Sequence, residues 1–134
     1  MCAERNTSNR ILNHKFLNPL FMSEKDRGNL SAILDSCKKI QEFVEDIFDA
    51  DAFYMNVKTF DAVLMNFVII GESVVKISDE LKINEPQIPW KRMKGFRNIV
   101  AHNYFGVDAE EVWQIIKNNI PELENGIDTI LKRR

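Results

Sequence analysis

Between Phe96 and Gly106 the chain reads FRNIVAHNYFG, and this stretch sets Arg97, Asn98, His102 and Tyr104 among apolar neighbours. A histidine titrates near neutrality, so it can take or give a proton. An arginine offers a planar fork of donors to a phosphate and stabilises charge that develops on it. The chemistry these two residues suit is phosphoryl transfer or RNA cleavage without a metal. RNA brings its own nucleophile, the 2′-hydroxyl, so a cleft with His, Arg and a positive rim needs little else. Metal catalysis fits less well. His102 has no second His or Cys at ligand spacing, and the other histidine, His14, lies far away near the N-terminus. No Gly-rich phosphate loop occurs.

Helical geometry sorts these residues. Asn98 and His102 are four apart and share a face, so Asn98 can hydrogen-bond His102 and fix its ring. Arg97 and Tyr104 are seven apart and also share a face. Arg97 and His102 are offset by roughly 140° and ~7.5 Å along the axis. Two copies of the helix around a twofold axis close that gap better than one, since each Arg can then meet the other subunit's His. Lys91, Arg92, Lys94 and Arg97 make a local run of cations in a chain whose net charge is −2. No global positive field draws in nucleic acid, so an anion site has to be local. Lys91, Lys94 and Asn98 can line one polar stripe for an RNA backbone. A lone Arg and His on a helix more often serve structure than catalysis, and spacing by itself leaves both readings open.

The elements that must hold this stretch read as helices throughout. At 134 residues the chain is long enough for one domain with a real core. Leu30, Ile33, Leu34, Cys37, Ile40, Val44, Ile47 and Phe48 recur at helical spacing, which predicts a helix from about Glu24 to Asp49. DADAFYMN reads as a turn with room for one short helical turn. Phe60, Val63, Leu64, Phe67, Ile70, Val74, Ile77 and Leu81 predict a second helix from Val57 to Leu81. Met65, Val68 and Ile69 widen its apolar stripe, as expected of a helix covered on a second side, here by a partner subunit. Pro86 and Pro89 mark a loop, and a third helix is expected from Pro89 to about Phe105, stopped at Gly106. Asp108 then opens a fourth, which Pro121 must kink or restart. The fold class expected is all-α, an up-down bundle of four to five helices.

Residues 1–22 differ from the rest, with scattered apolar residues and three basic residues against one acid. They are expected to be a disordered leader or a mis-assigned start ahead of Met22, leaving 23–134 as the domain. Apolar runs are too short to cross a bilayer. Two distant cysteines, Cys2 and Cys37, form no disulfide framework, and Cys37 on an apolar face reads as a buried thiol that suits the cytoplasm. Gly71 inside a helix costs roughly 1 kcal/mol relative to Ala, and close helix approach explains it. Glu72 beside it reads first as a solvated edge residue and second as a carboxylate orienting Arg97. Trp90 and Trp113 read as core anchors.

From about Asp26 to Leu131 the chain resembles the HEPN domain, specifically the HepT-type toxin family. The resemblance rests on an ordered series: DRGNL, FDAVLMNFVIIGES, IPWKRMKGFRNIVAHNYFGVD and VWQIIKNNIPEL. The family's motif is Arg, four residues, His, any residue, Tyr, and Arg97, His102 and Tyr104 match it. Ser73 stands where the family is expected to have Ala. The resemblance implies the toxin of a type VII toxin–antitoxin pair. It would be a metal-independent ribonuclease that needs no cofactor for cleavage. Arg97 and His102 would form the active-site pair in a cleft between two subunits of a homodimer. It also implies a cognate antitoxin, a minimal nucleotidyltransferase of the MntA type, which uses ATP and magnesium to attach AMP to Tyr104. A rival reading is a module that only binds nucleotide or docks a nucleotidyltransferase, and a third is an inert dimeric bundle.

Overall fold

The computed structural model describes residues 22–103 and 108–133, with His102 and Asn103 given by their backbone alone. Among the described residues every regular element is a helix. Helix α1 spans Glu24–Phe43, α2 Ala50–Met55, α3 Val57–Lys76 and α4 Asp79–Asn84. Helices α5 (Trp90–Lys94) and α6 (Phe96–Asn103) follow, then α7 (Ala109–Asn118) and α8 (Ile120–Arg133). The bundle has four rods: α1, α3, the α5–α6 pair and the α7–α8 pair. The short helices α2 and α4 connect them. This is the expected all-α bundle, more finely divided than its apolar periodicity suggests.

The division follows from caps. Ser23 starts α1 by accepting the Asp26 N–H at 3.0 Å. That helix stops at Phe43 and not at Asp49, because Asp49 caps α2, its carboxylate accepting the Ala52 N–H at 2.8 Å. Phe48, expected on the buried stripe, is consequently 85 % exposed. The second long helix likewise ends at Lys76, and Ser78 caps α4 through the Leu81 N–H at 3.2 Å. Asp26, itself buried, accepts both the N–H and the hydroxyl of Ser78, which ties the start of α1 to the start of α4. Pro121 restarts the last rod: α7 ends at Asn118 and α8 begins at Ile120. The stop expected at Gly106 and the leader expected over 1–21 lie outside the described residues.

The core lies between α1, α3, α7 and α8. Leu30, Ile33, Cys37 and Ile40 of α1 are fully buried, as are Phe67 and Ile70 of α3 and Ile120, Ile127 and Ile130 of α8. Each such aliphatic or aromatic side chain contributes about 1.5–3 kcal/mol by leaving water. Trp113 is buried and packs on Phe53 with ring centroids 5.6 Å apart, as a core anchor should. Met65 and Ile69 of α3 are 59 % and 37 % exposed, so the second flank of that helix is uncovered in the single chain. Among the described residues, no helix is long and apolar enough to cross a membrane.

Candidate active site

The rod that carries the motif is fastened at its start. Glu85 is buried at the loop before α5. Its carboxylate accepts from Gln87 at 2.7 Å and from Arg133 at 2.6 Å, and its carbonyl accepts the Trp90 indole N–H at 2.9 Å. Trp90 is therefore anchored by this hydrogen bond as well as by packing against the core. Met93 and Phe96 turn inward, and Phe96 stacks on Phe67 of α3 at 5.1 Å. With those two faces committed to the core, Lys91, Lys94 and Asn98 are left exposed.

The rod is not the continuous helix expected from Pro89. It breaks at Gly95, whose N–H bonds to the carbonyls of both Lys91 and Arg92, at 3.2 and 3.0 Å. Arg97, Asn98 and His102 all lie beyond the break, in α6. The five-residue offset between Arg97 and His102 therefore holds as one uninterrupted helical stretch. The Asn98–His102 and Arg97–Tyr104 pairings involve a side chain and a residue outside the described set.

Gly71 lets α3 approach this rod closely. A Cβ there would stand 3.1 Å from the Arg97 Cβ, 3.2 Å from the Arg97 backbone nitrogen and 3.3 Å from the Lys94 carbonyl oxygen. The next residue on α3 then reaches the guanidinium: Glu72 Oε2 is 2.5 Å from Arg97 Nη1. Both side chains keep solvent access, 37 % for Arg97 and 50 % for Glu72. The two readings of Glu72, a solvated edge residue and a carboxylate on Arg97, thus meet in one side chain. It is half exposed and also paired with Arg97, because the glycine removes the spacing that would separate the two helices.

Arg97 and Asn98 line an open groove of about 460 Å³ with Glu72, Val68, Val100 and Ala101. The cation run divides around it. Arg92 turns away and donates to Asn119 Oδ1 at 3.3 Å, beside a smaller cavity of about 220 Å³ on the α8 side. Lys91 and Lys94 are exposed on α5 but are not among the groove's lining residues. Among the described residues, no three His, Cys, Asp or Glu side chains gather as a metal site would. The features that sequence reasoning missed are the Gly95 break and the Glu85–Arg133 tie. Gly95 could have been found as a helix breaker between two helical runs. The tie joins residues distant in sequence and carries no local signal.

Residues 33–130 match the family described as Ribonuclease HepT-like, and the chain belongs to that family. It is 36 % identical over 110 residues to a protein of Methanocaldococcus jannaschii, MJ1380, named there as a candidate RNase. That match covers 81 % of this chain and 100 % of the relative. It is 33 % identical over 111 residues to the Probable ribonuclease HepT of Thermococcus cleftensis, covering 83 % of this chain and 100 % of that protein. A further M. jannaschii relative, the candidate RNase MJ0127, is 36 % identical over 112 residues, 83 % of this chain and 92 % of its own length. No solved structure matches the chain significantly.

Proposed function

We propose that this protein is a metal-independent endoribonuclease and the toxic member of a type VII toxin–antitoxin pair. Its active site is built from Arg97 and His102. The observation that carries the reading is Arg97 itself. It sits partly exposed on an open groove, held in place, in the same helix as His102 and beside an uncovered apolar flank of α3.

The chemistry is direct. The 2′-hydroxyl oxygen attacks phosphorus, the bond from phosphorus to the 5′ oxygen breaks, and a cyclic phosphate and a 5′-hydroxyl result. His102 takes the proton from the 2′-hydroxyl or gives one to the leaving oxygen. Arg97 neutralises charge on the pentacoordinate phosphorus. Asn98 orients His102, and Lys91 and Lys94 hold flanking backbone phosphates from outside the groove. A homodimer completes the site. Met65 and Ile69 supply the apolar surface for it, and a twofold axis there would bring each Arg97 toward the second copy's His102.

The off-switch in this reading is Tyr104. An MntA-type nucleotidyltransferase joins AMP from ATP to the tyrosine oxygen with magnesium, and pyrophosphate leaves. The added phosphate charge and bulk then occupy the cations meant for RNA. Purified protein should cleave RNA in the presence of EDTA, and His102→Ala should abolish cleavage. Cleavage that survives that substitution refutes the assignment.

A further inference from the structure

We propose that Glu72 is a positioning residue for cleavage, an inference that rests on the ribonuclease reading of Arg97. Two features of α3 act on the same arginine from adjacent positions. Gly71 admits the stem of Arg97, with the Arg97 Cβ and backbone nitrogen at the closest distances that a side chain at position 71 would meet. Glu72 takes the other end, with one carboxylate oxygen 2.5 Å from Nη1. Among the described residues, Glu72 is the partner the structure gives the Arg97 guanidinium. Arg97 is thereby set at both ends by one helix.

The contact is a single-point one. A guanidinium carries five N–H donors, so engaging one Nη leaves the others able to meet a phosphate in the groove. The carboxylate also has a cost for binding, because a negative charge lining the groove repels the phosphodiester that Arg97 is meant to hold. A half-exposed pair of this kind contributes little to stability. Its effect therefore falls on the aim of the guanidinium, at some expense in substrate affinity.

That opposition makes the role testable. Glu72→Gln keeps the side chain's shape and removes its charge. It is expected to lower kcat about tenfold, because a neutral amide oxygen holds the guanidinium less firmly than a carboxylate does. KM should stay level or fall, and a 2′-deoxy oligonucleotide, which lacks the nucleophile, should bind a few-fold more tightly. Glu72→Asp, which restores the charge one methylene short, should recover part of kcat. A merely structural pair would not split kcat from affinity in this way. A Glu72→Gln variant with kcat within about twofold of wild type overturns the proposal, provided wild type cleaves and Arg97→Ala does not. If wild type binds RNA without cleaving it, the ribonuclease reading fails and takes this inference with it. If Glu72→Gln does not fold, Glu72→Asp carries the test: kcat equal to wild type with the carboxylate withdrawn overturns the proposal.

Discussion

Gly71→Ala isolates the close approach of α3 to the motif helix. Two effects of opposite sign are expected. Alanine is better than glycine inside a helix by roughly 1 kcal/mol. Against this, the new methyl would meet the Arg97 Cβ at 3.1 Å, the Arg97 nitrogen at 3.2 Å and the Lys94 carbonyl oxygen at 3.3 Å. Carbon atoms settle about 3.5–4.0 Å apart, so the first contact is short by roughly half an ångström. Two of the three opposing atoms are backbone, which no rotamer change can move. The α5–α6 rod must therefore yield, and overpacking of this kind costs about 1–3 kcal/mol. The net is a loss of about 0–2 kcal/mol, or a Tm lowered by no more than about 8 °C. The larger effect is on activity. A misplacement of about 1 Å can cost on the order of a hundredfold, so half of that at Arg97 should cost roughly tenfold in kcat. Thermal melting and single-turnover cleavage of an RNA oligonucleotide measure both quantities on one preparation. A variant that melts several degrees higher with unchanged kcat would show that only helix propensity changed, and the close-approach argument would be wrong.

Two further outcomes concern the scaffold. Burial, and secondarily the charge of Glu124, push the Cys37 thiol from 9.0 up to about 12. Between those values the unfolded chain sheds a proton that the folded chain keeps, so stability falls as pH rises through that window. The slope attributable to this thiol is at most about 1.4 kcal/mol per pH unit. The stability difference between wild type and Cys37→Ala should change by that amount above pH 9, and parallel denaturation curves would contradict it. Arg133→Ala removes a partner of a carboxylate that is only 2 % exposed, while Arg133 itself is 42 % exposed. Gln87 remains on Glu85, so the expected cost is about 1–2 kcal/mol, seen as a Tm lower by about 4–8 °C. An unchanged melting curve would mean that the tie contributes nothing.

How much of this could be read beforehand depends on what kind of information each feature carries. The apolar stripes of α1 and α3 were legible because burial on one side imposes a 3.6-residue period that survives in any helical packing. The ends were not. Asp49 and Ser78 are residues a helix tolerates in its interior, and each became a boundary because its side chain caps a neighbouring turn. The five-position spacing of Arg97 and His102 carries over unchanged, since both lie in α6. What engages Arg97 is different in kind. The residue that does so comes from α3, and local spacing ranked it as a solvated edge. Gly71 decides the matter. Its missing side chain was readable as a close approach, but only the fold shows that the approaching backbone belongs to Arg97 and Lys94. The same logic separates the cations. Arg92 and Arg97 look alike in the run, yet they are five positions apart across the Gly95 break, and one donates to Asn119 while the other pairs with Glu72. A basic run on a short helix is therefore not one electrostatic surface. It is a set of side chains whose directions are assigned by the faces already committed to Met93 and Phe96.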